Sequence, residues 1–193
     1  VPRADYDLEA ADRCMNDVLP ASGVWGRTPR LPHGGLDWSY DGPPDYDNNQ
    51  WHQINRHHWM RHLLYAGLAG EGQAYLDKLD LFLRDWCAHA EQHRQFGMAT
   101  DRKLNAGIRL KHIWPRVFYT FGTSRHFADA TRLLMLAALA EHGTYLREHH
   151  NPHGNHMMMQ VTGLATLADA FPEFEQAPQW LRYVRDEAAQ EAQ

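Results

Sequence analysis

Leu76-Asp77-Lys78-Leu79-Asp80-Leu81-Phe82-Leu83-Arg84-Asp85-Trp86-Cys87 is the stretch whose reading decides the fold class. Leu76, Leu79, Phe82, Leu83, Trp86 and Cys87 recur at the three- and four-residue spacing of one buried helical face. Similar stripes run outward through Leu104, Ile108, Val117, Phe118 and Phe121, through Phe127, Leu134, Ala137 and Leu146, and through Val161, Leu164, Leu167 and Phe171. No segment shows the strict alternation of a strand, so the chain reads as all-α. Gly70 and Gly122 suit helix C-terminal positions, Thr100 or Asp101 and Thr123 or Ser124 suit N-caps, and Pro172 stops the helix before it. Pro115 should kink its helix.

Residues 20–47 break this pattern. Gly23, Gly26, Pro29, Pro32, Gly34, Gly35, Pro43 and Pro44 make the segment too rich in breakers for regular structure. Trp25, Trp38, Tyr40 and Tyr46 argue that it is an ordered loop or wrapped arm, and such rings can also shape a sugar subsite. With 193 residues, 44% of them hydrophobic and 22% charged, the chain reads as a single globular domain over 1–193.

The net charge of −5 provides no basic field for nucleic acid. Protonating all 14 His would add fourteen positive charges to −5 and give +9, so affinity for an acidic ligand should depend on pH. Cys14 and Cys87 lie far apart without a Cys-x-x-Cys and read as core thiols. The apolar runs are too short for a membrane span, and no signal peptide opens the chain as given.

Two polar stripes interrupt the apolar helices. Trp51, Asn55, His58 and His62 share one face of a helix over 48–69, and Asn105, Arg109, His112 and Arg116 share one face over 100–121. Either stripe is the solvated side of an amphipathic helix or the lining of a groove. In a groove, aromatic rings stack on sugar faces and Arg forks pair with carboxylates. A third concentration, His149-His150-Asn151-Pro152-His153-Gly154-Asn155-His156, stands directly before the apolar helix Met157 to Phe171. Asn155 can cap that helix and also donate to a carboxylate held at its first turn. His149, His153 and His156, or His58 with His62, have spacings a metal can use, but without an acidic ligand or a His-Glu-x-x-His the expectation is no metal and no cofactor.

Gln50-Trp51-His52-Gln53-Ile54-Asn55-Arg56-His57-His58, the helix ending in Asp85-Trp86, the Gly154-Asn155-His156 motif, and Phe171-Pro172-Glu173-Phe174 followed by Ala177-Pro178-Gln179-Trp180 resemble the heparinase II/III and alginate lyase superfamily, over roughly Trp38 to Gln193. The resemblance implies helical hairpins forming an incomplete (α/α) toroid and β-elimination on a uronic-acid polysaccharide such as alginate or a glycosaminoglycan. It gives Asn155 the task of neutralising the uronate carboxylate, His156 that of assisting or acting as base, and Trp51, Asn55, His58 and Arg109 that of substrate contacts.

Among these residues the family's Tyr acid/base segment and its β-sandwich are expected to have no counterpart, so the sequence should correspond to the N-terminal part of a lyase toroid, a fragment of a lyase expected to bind without catalysing by itself, and Tyr145 should simply pack in its helix. The alternative is therefore a non-catalytic helical-hairpin module binding carbohydrate or protein. The resemblance further implies an acidic polysaccharide partner and a periplasmic or secreted location, and open toroid faces imply self-association.

Overall fold

The computed structural model describes residues 6–40, 42–43, 48–89 and 99–191. The expected ring of Tyr46 and the side-chain caps expected at Thr100 or Asp101 lie outside what is described.

Helix α1 (Leu8–Met15) begins where the Asp7 carboxylate accepts the amides of Glu9 and Ala10. It leads into an antiparallel hairpin of β1 (Val18–Ala21) and β2 (Val24–Arg27), which the sequence reading missed. Ser22 and Gly23 form its two-residue turn, with φ of 48° and 84°. Paired positive φ values match the twist of the flanking strands. The segment 20–47 is therefore regular at its start. Further along it, Leu36 and Trp38 are buried in the core.

The expected single helix over 48–69 is two elements. A 3-10 segment (Asn48–Arg56) ends at His57, whose φ of 62° turns the chain before α2 (Met60–Leu68) begins. Gly70, with φ of 89°, closes α2 as expected. Helix α3 (Gln73–Ala88) buries Leu76, Leu79, Phe82, Leu83, Trp86 and Cys87, the whole expected stripe.

Helices α4 (Ala99–His112) and α5 (Trp114–Phe121) are separated at Ile113. Pro115 does not kink a continuous helix but sits in the first turn of α5, where a missing N–H costs nothing. Helix α6 (Asp129–His149) starts later than Thr123 or Ser124, and the Ser124 hydroxyl instead accepts the His126 amide at 3.2 Å within the preceding turn. Its buried face is Thr131, Met135, Ala138, Leu139, His142, Gly143 and Leu146, while the expected core residue Ala137 is exposed. Helix α7 (Gly154–Ala170) stops at Phe171 before Pro172, and α8 (Ala177–Glu191) buries Ala177 and Trp180.

Short connections pair α2 with α3 and α7 with α8 as helical hairpins, α3 packs on α6, and α4 packs most extensively on α7. Two glycines permit that last crossing. A Cβ on Gly163 would lie 2.4 Å from the Gly107 carbonyl oxygen, and one on Gly107 would lie 2.7 Å from the Gln160 Cα, so the two backbones touch. One hydrophobic cluster runs from Ala11 to Trp180 and includes Cys14 and Cys87, whose thiols burial pushes up to about 12. The all-α hairpin architecture of an incomplete toroid thus holds, with one small hairpin of strands added.

Candidate active site

The start of α7 carries Asn155 and His156. Gly154, with φ of 78°, lets the chain swing from extended His153 into the helix, so His153 occupies the cap position and Asn155 lies inside the first turn. Asn155 is therefore not the cap that the sequence suggested. Both Asn155 and His156 are exposed, at the positive end of the helix dipole. Below them, fully buried Gln160 accepts the Asn151 amide at 2.6 Å and donates from Nε2 to Asn151 Oδ1 at 2.9 Å, which folds the preceding loop back onto α7. His150 bonds to the Tyr183 hydroxyl of α8, and the Arg147 guanidinium stands 3.7 Å from the centroid of the same ring. Tyr145 packs on the core with its ring tilted against His149, centroids 5.1 Å apart, as expected of a structural tyrosine.

The four expected substrate contacts lie elsewhere, and no hydrogen bond, ion pair or ring contact joins them to Asn155 or His156 among the described residues. Trp51 is fully buried, its ring wedged so closely against the hairpin that a Cβ on Gly26 would come within 2.4 Å of it. It is a core ring and not a sugar platform. Arg109 is also buried rather than lining a groove. Its Nη1 donates to the Asn55 carbonyl at 2.5 Å, its Nε donates to His142 Nε2 at 3.1 Å, and its guanidinium stands 4.5 Å from the Trp86 ring centroid. His142 Nδ1 faces the Ala138 carbonyl at 2.5 Å, which can only accept; the proton therefore sits on Nδ1 and leaves Nε2 to accept from Arg109. Burial pulls the Arg109 guanidinium down to about 9, still protonated at neutral pH.

Asn55 is half-buried and turned to the same interior. Its Oδ1 accepts Trp86 Nε1–H at 2.8 Å, and its Nδ2 donates to the Trp38 carbonyl at 3.0 Å. Next to it, Arg56 donates to Asn105 Oδ1 at 3.1 Å and to Gln53 Oε1 at 2.6 Å. Asn55 and Arg56 thus stitch the 3-10 segment to α3 and α4, with Gln53 bracing Arg56. The buried His57, ringed by Trp38, Trp59, Trp86 and Trp114, accepts Trp114 Nε1–H at 2.9 Å. His142 and His57 escaped the sequence reading, because a buried polar partner leaves no periodic signal.

Only His58 of the four is exposed. Its ring meets His112 edge-on at 5.4 Å, and burial of its inner side, with His112, Arg61 and Arg56 close by, holds it down to about 4. His62, which accepts the Asp7 amide at 2.9 Å, and His112 are also lowered, chiefly by burial. All three imidazoles are therefore held below the ordinary histidine range, chiefly because burial disfavours their charged form.

Residues 9–193 match the family model described as Heparinase II/III N-terminus, a longer stretch than the motifs alone had suggested. No curated protein gives a significant match. Among solved structures, the chain is similar to a mutant of the heparan sulfate lyase HepC from Pedobacter heparinus, with a TM-score of 0.79 and 19% identity over 97% of this chain and 29% of that one. The HepC enzyme itself gives 0.75 and 20%, over 93% of this chain and 28% of that one. A heparinase III gene product with methylated lysines gives 0.75 and 16%, over 96% and 31%. The chain therefore spans under a third of the length of these structures. Among the described residues, no helix is long and apolar enough to cross a membrane. With the helical-hairpin fold and the match across nearly its whole length, the chain belongs to the Heparinase II/III N-terminus family.

Proposed function

We propose that the chain supplies the carboxylate-binding part of a polysaccharide lyase that cleaves uronic-acid-containing polysaccharide by β-elimination, acting in the periplasm or outside the cell. The observation that carries this reading is the exposed Asn155-His156 pair in the first turn of α7, in a member of this family. The C5 proton of a uronate is weakly acidic because the neighbouring carboxylate is already negative. An amide donor aimed at that carboxylate, aided by the positive end of the helix dipole, stabilises the charge that develops as the proton leaves. The Asn155 amide fills this role, and His156 assists it or serves as base. His58 remains a candidate substrate contact, while Trp51, Asn55 and Arg109 belong to the buried frame of the fold.

The test is ultraviolet absorbance of unsaturated uronate, with the full-length protein on heparan sulfate first, then hyaluronan and alginate. Product on at least one uronan is expected, and Asn155→Ala should lower kcat/KM at least about 100-fold with the fold intact. Absence of product on every uronan would sink the lyase reading, and salt-sensitive uronan binding without cleavage would favour the binding-module alternative.

A further inference from the structure

A second cluster of chemistry lies where the segment after the hairpin crosses α3. The tight turn Leu31–Gly35, closed by Leu31 N–H to the Gly35 carbonyl at 2.8 Å, carries exposed His33 at its tip. Asp85 and His89 stand one helical turn apart at the end of α3, so they share a face. The Asp85 carboxylate is held firmly: Oδ2 accepts the Leu36 amide at 2.9 Å and Trp38 Nε1–H at 2.8 Å. His89 Nδ1 donates to the Asp85 carbonyl at 2.7 Å and lies 3.3 Å from Asp85 Oδ1, so the neutral ring keeps its lone pair on Nε2, and the His33 and His89 rings stack with centroids 4.7 Å apart. One ligating atom from each of His33, Asp85 and His89 lies within 4.8 Å of the other two, the only such group of three among the described residues.

Two further observations single this cluster out. Gly35 does not have the positive φ that calls for glycine, yet a Cβ there would lie 2.3 Å from Asp85 Oδ1 and 2.8 Å from His33 Nε2. The missing side chain is what lets the carboxylate and imidazole converge. The two cations beside them are turned toward other carboxylates. Arg30 pairs with Asp17 at 2.7 and 2.9 Å, and Arg84 leans toward Asp80 at 3.9 Å, both on the wall of a cleft of about 400 Å³ that opens over the cluster. The carboxylate therefore faces two imidazoles and open space.

We propose that His33, Asp85 and His89 bind a divalent transition-metal ion. Two imidazole nitrogens and one carboxylate oxygen suit zinc, with water from the cleft completing the shell. Closing the three atoms onto one ion takes a movement of about an ångström, which His33 supplies by rotating on its exposed turn. The ion clamps the Leu31–Leu36 turn to the end of α3. This site is separate from Asn155 and does not depend on the lyase reading.

The test is calorimetric titration of zinc chloride into the purified protein, with cobalt(II) as a spectroscopic substitute. One equivalent of zinc, a rise in Tm and a visible cobalt d–d band are expected. His33→Ala and His89→Ala should each weaken zinc at least about tenfold, and Gly35→Ala should do so without removing a ligand. Replacing His149, His153 and His156 together by Ala should leave zinc binding unchanged. No zinc uptake, uptake indifferent to His33→Ala and His89→Ala, or uptake lost with the His149, His153 and His156 triple variant would each overturn the site.

Discussion

Two regions use nearly the same side chains to opposite ends. Around α4, Asn55, Arg109 and His142 meet one another inside the protein, and each polar atom answers a neighbour. At the start of α7, Asn155 and His156 stand in solvent, with no hydrogen bond of their own among the described residues. Residue type thus does not separate frame from site. What separates them is whether the hydrogen-bonding capacity is already used: a spent donor stiffens the fold, and an unspent one is available to a ligand.

The sharpest way to break this contrast is a pair of substitutions. Arg109→Met leaves the Asn55 carbonyl and His142 Nε2 without their donor, and should cost about 2–4 kcal/mol, or roughly 5–15 °C in Tm. Asn155→Ala, whose amide holds nothing in place, should stay within about 0.5 kcal/mol of the parent by chemical denaturation. Equal losses from the two would erase the distinction.

A smaller effect is expected between the two regions, at Gln160. Gln160→Leu keeps the volume of a buried side chain but removes both bonds to Asn151, and should cost about 1–2 kcal/mol. Because it loosens the loop that leads into α7, it should also lower kcat/KM on a cleaved uronan. Full activity in a destabilised Gln160→Leu protein would show that the loop does not position Asn155.

The smallest expected effect is a slope. His58 is held near 4 when folded and lies at its ordinary value of 6.5 when unfolded. Between those values the unfolded chain takes up a proton that the folded chain refuses, so stability is lost as pH falls from 6.5 toward 4 and is insensitive to His58 above that window. Urea unfolding of the parent and of His58→Gln across this range should show a shallower acid arm in the variant. Identical arms would mean that His58 titrates freely.

Much of the frame was legible because burial on a long helix repeats. The α3 stripe, the stop before Pro172 and the turn at Gly70 follow from spacing and from residues with narrow backbone preferences. The hairpin Val18–Arg27 was illegible because four residues per strand, one of them Pro20, give alternation too little length to register. The polar stripe from Trp51 to His62 misled because its spacing presumes an unbroken helix, and the positive φ at His57 destroys the phase. Asn105 and Arg109 kept the expected helix, but periodicity does not tell a solvated polar face from one paired across an interior. The Asn155 position was visible as a motif at a helix start, and its true place within the first turn depended on Gly154 taking the entry bend.

The bare contact between Gly107 and Gly163 acts as a fulcrum. Asn155 sits eight residues from Gly163 along α7, about 12 Å down a rigid rod. A methyl group inserted at either glycine would tilt that rod and swing its far end, so two residues that never approach a ligand set the aim of the one proposed to hold it.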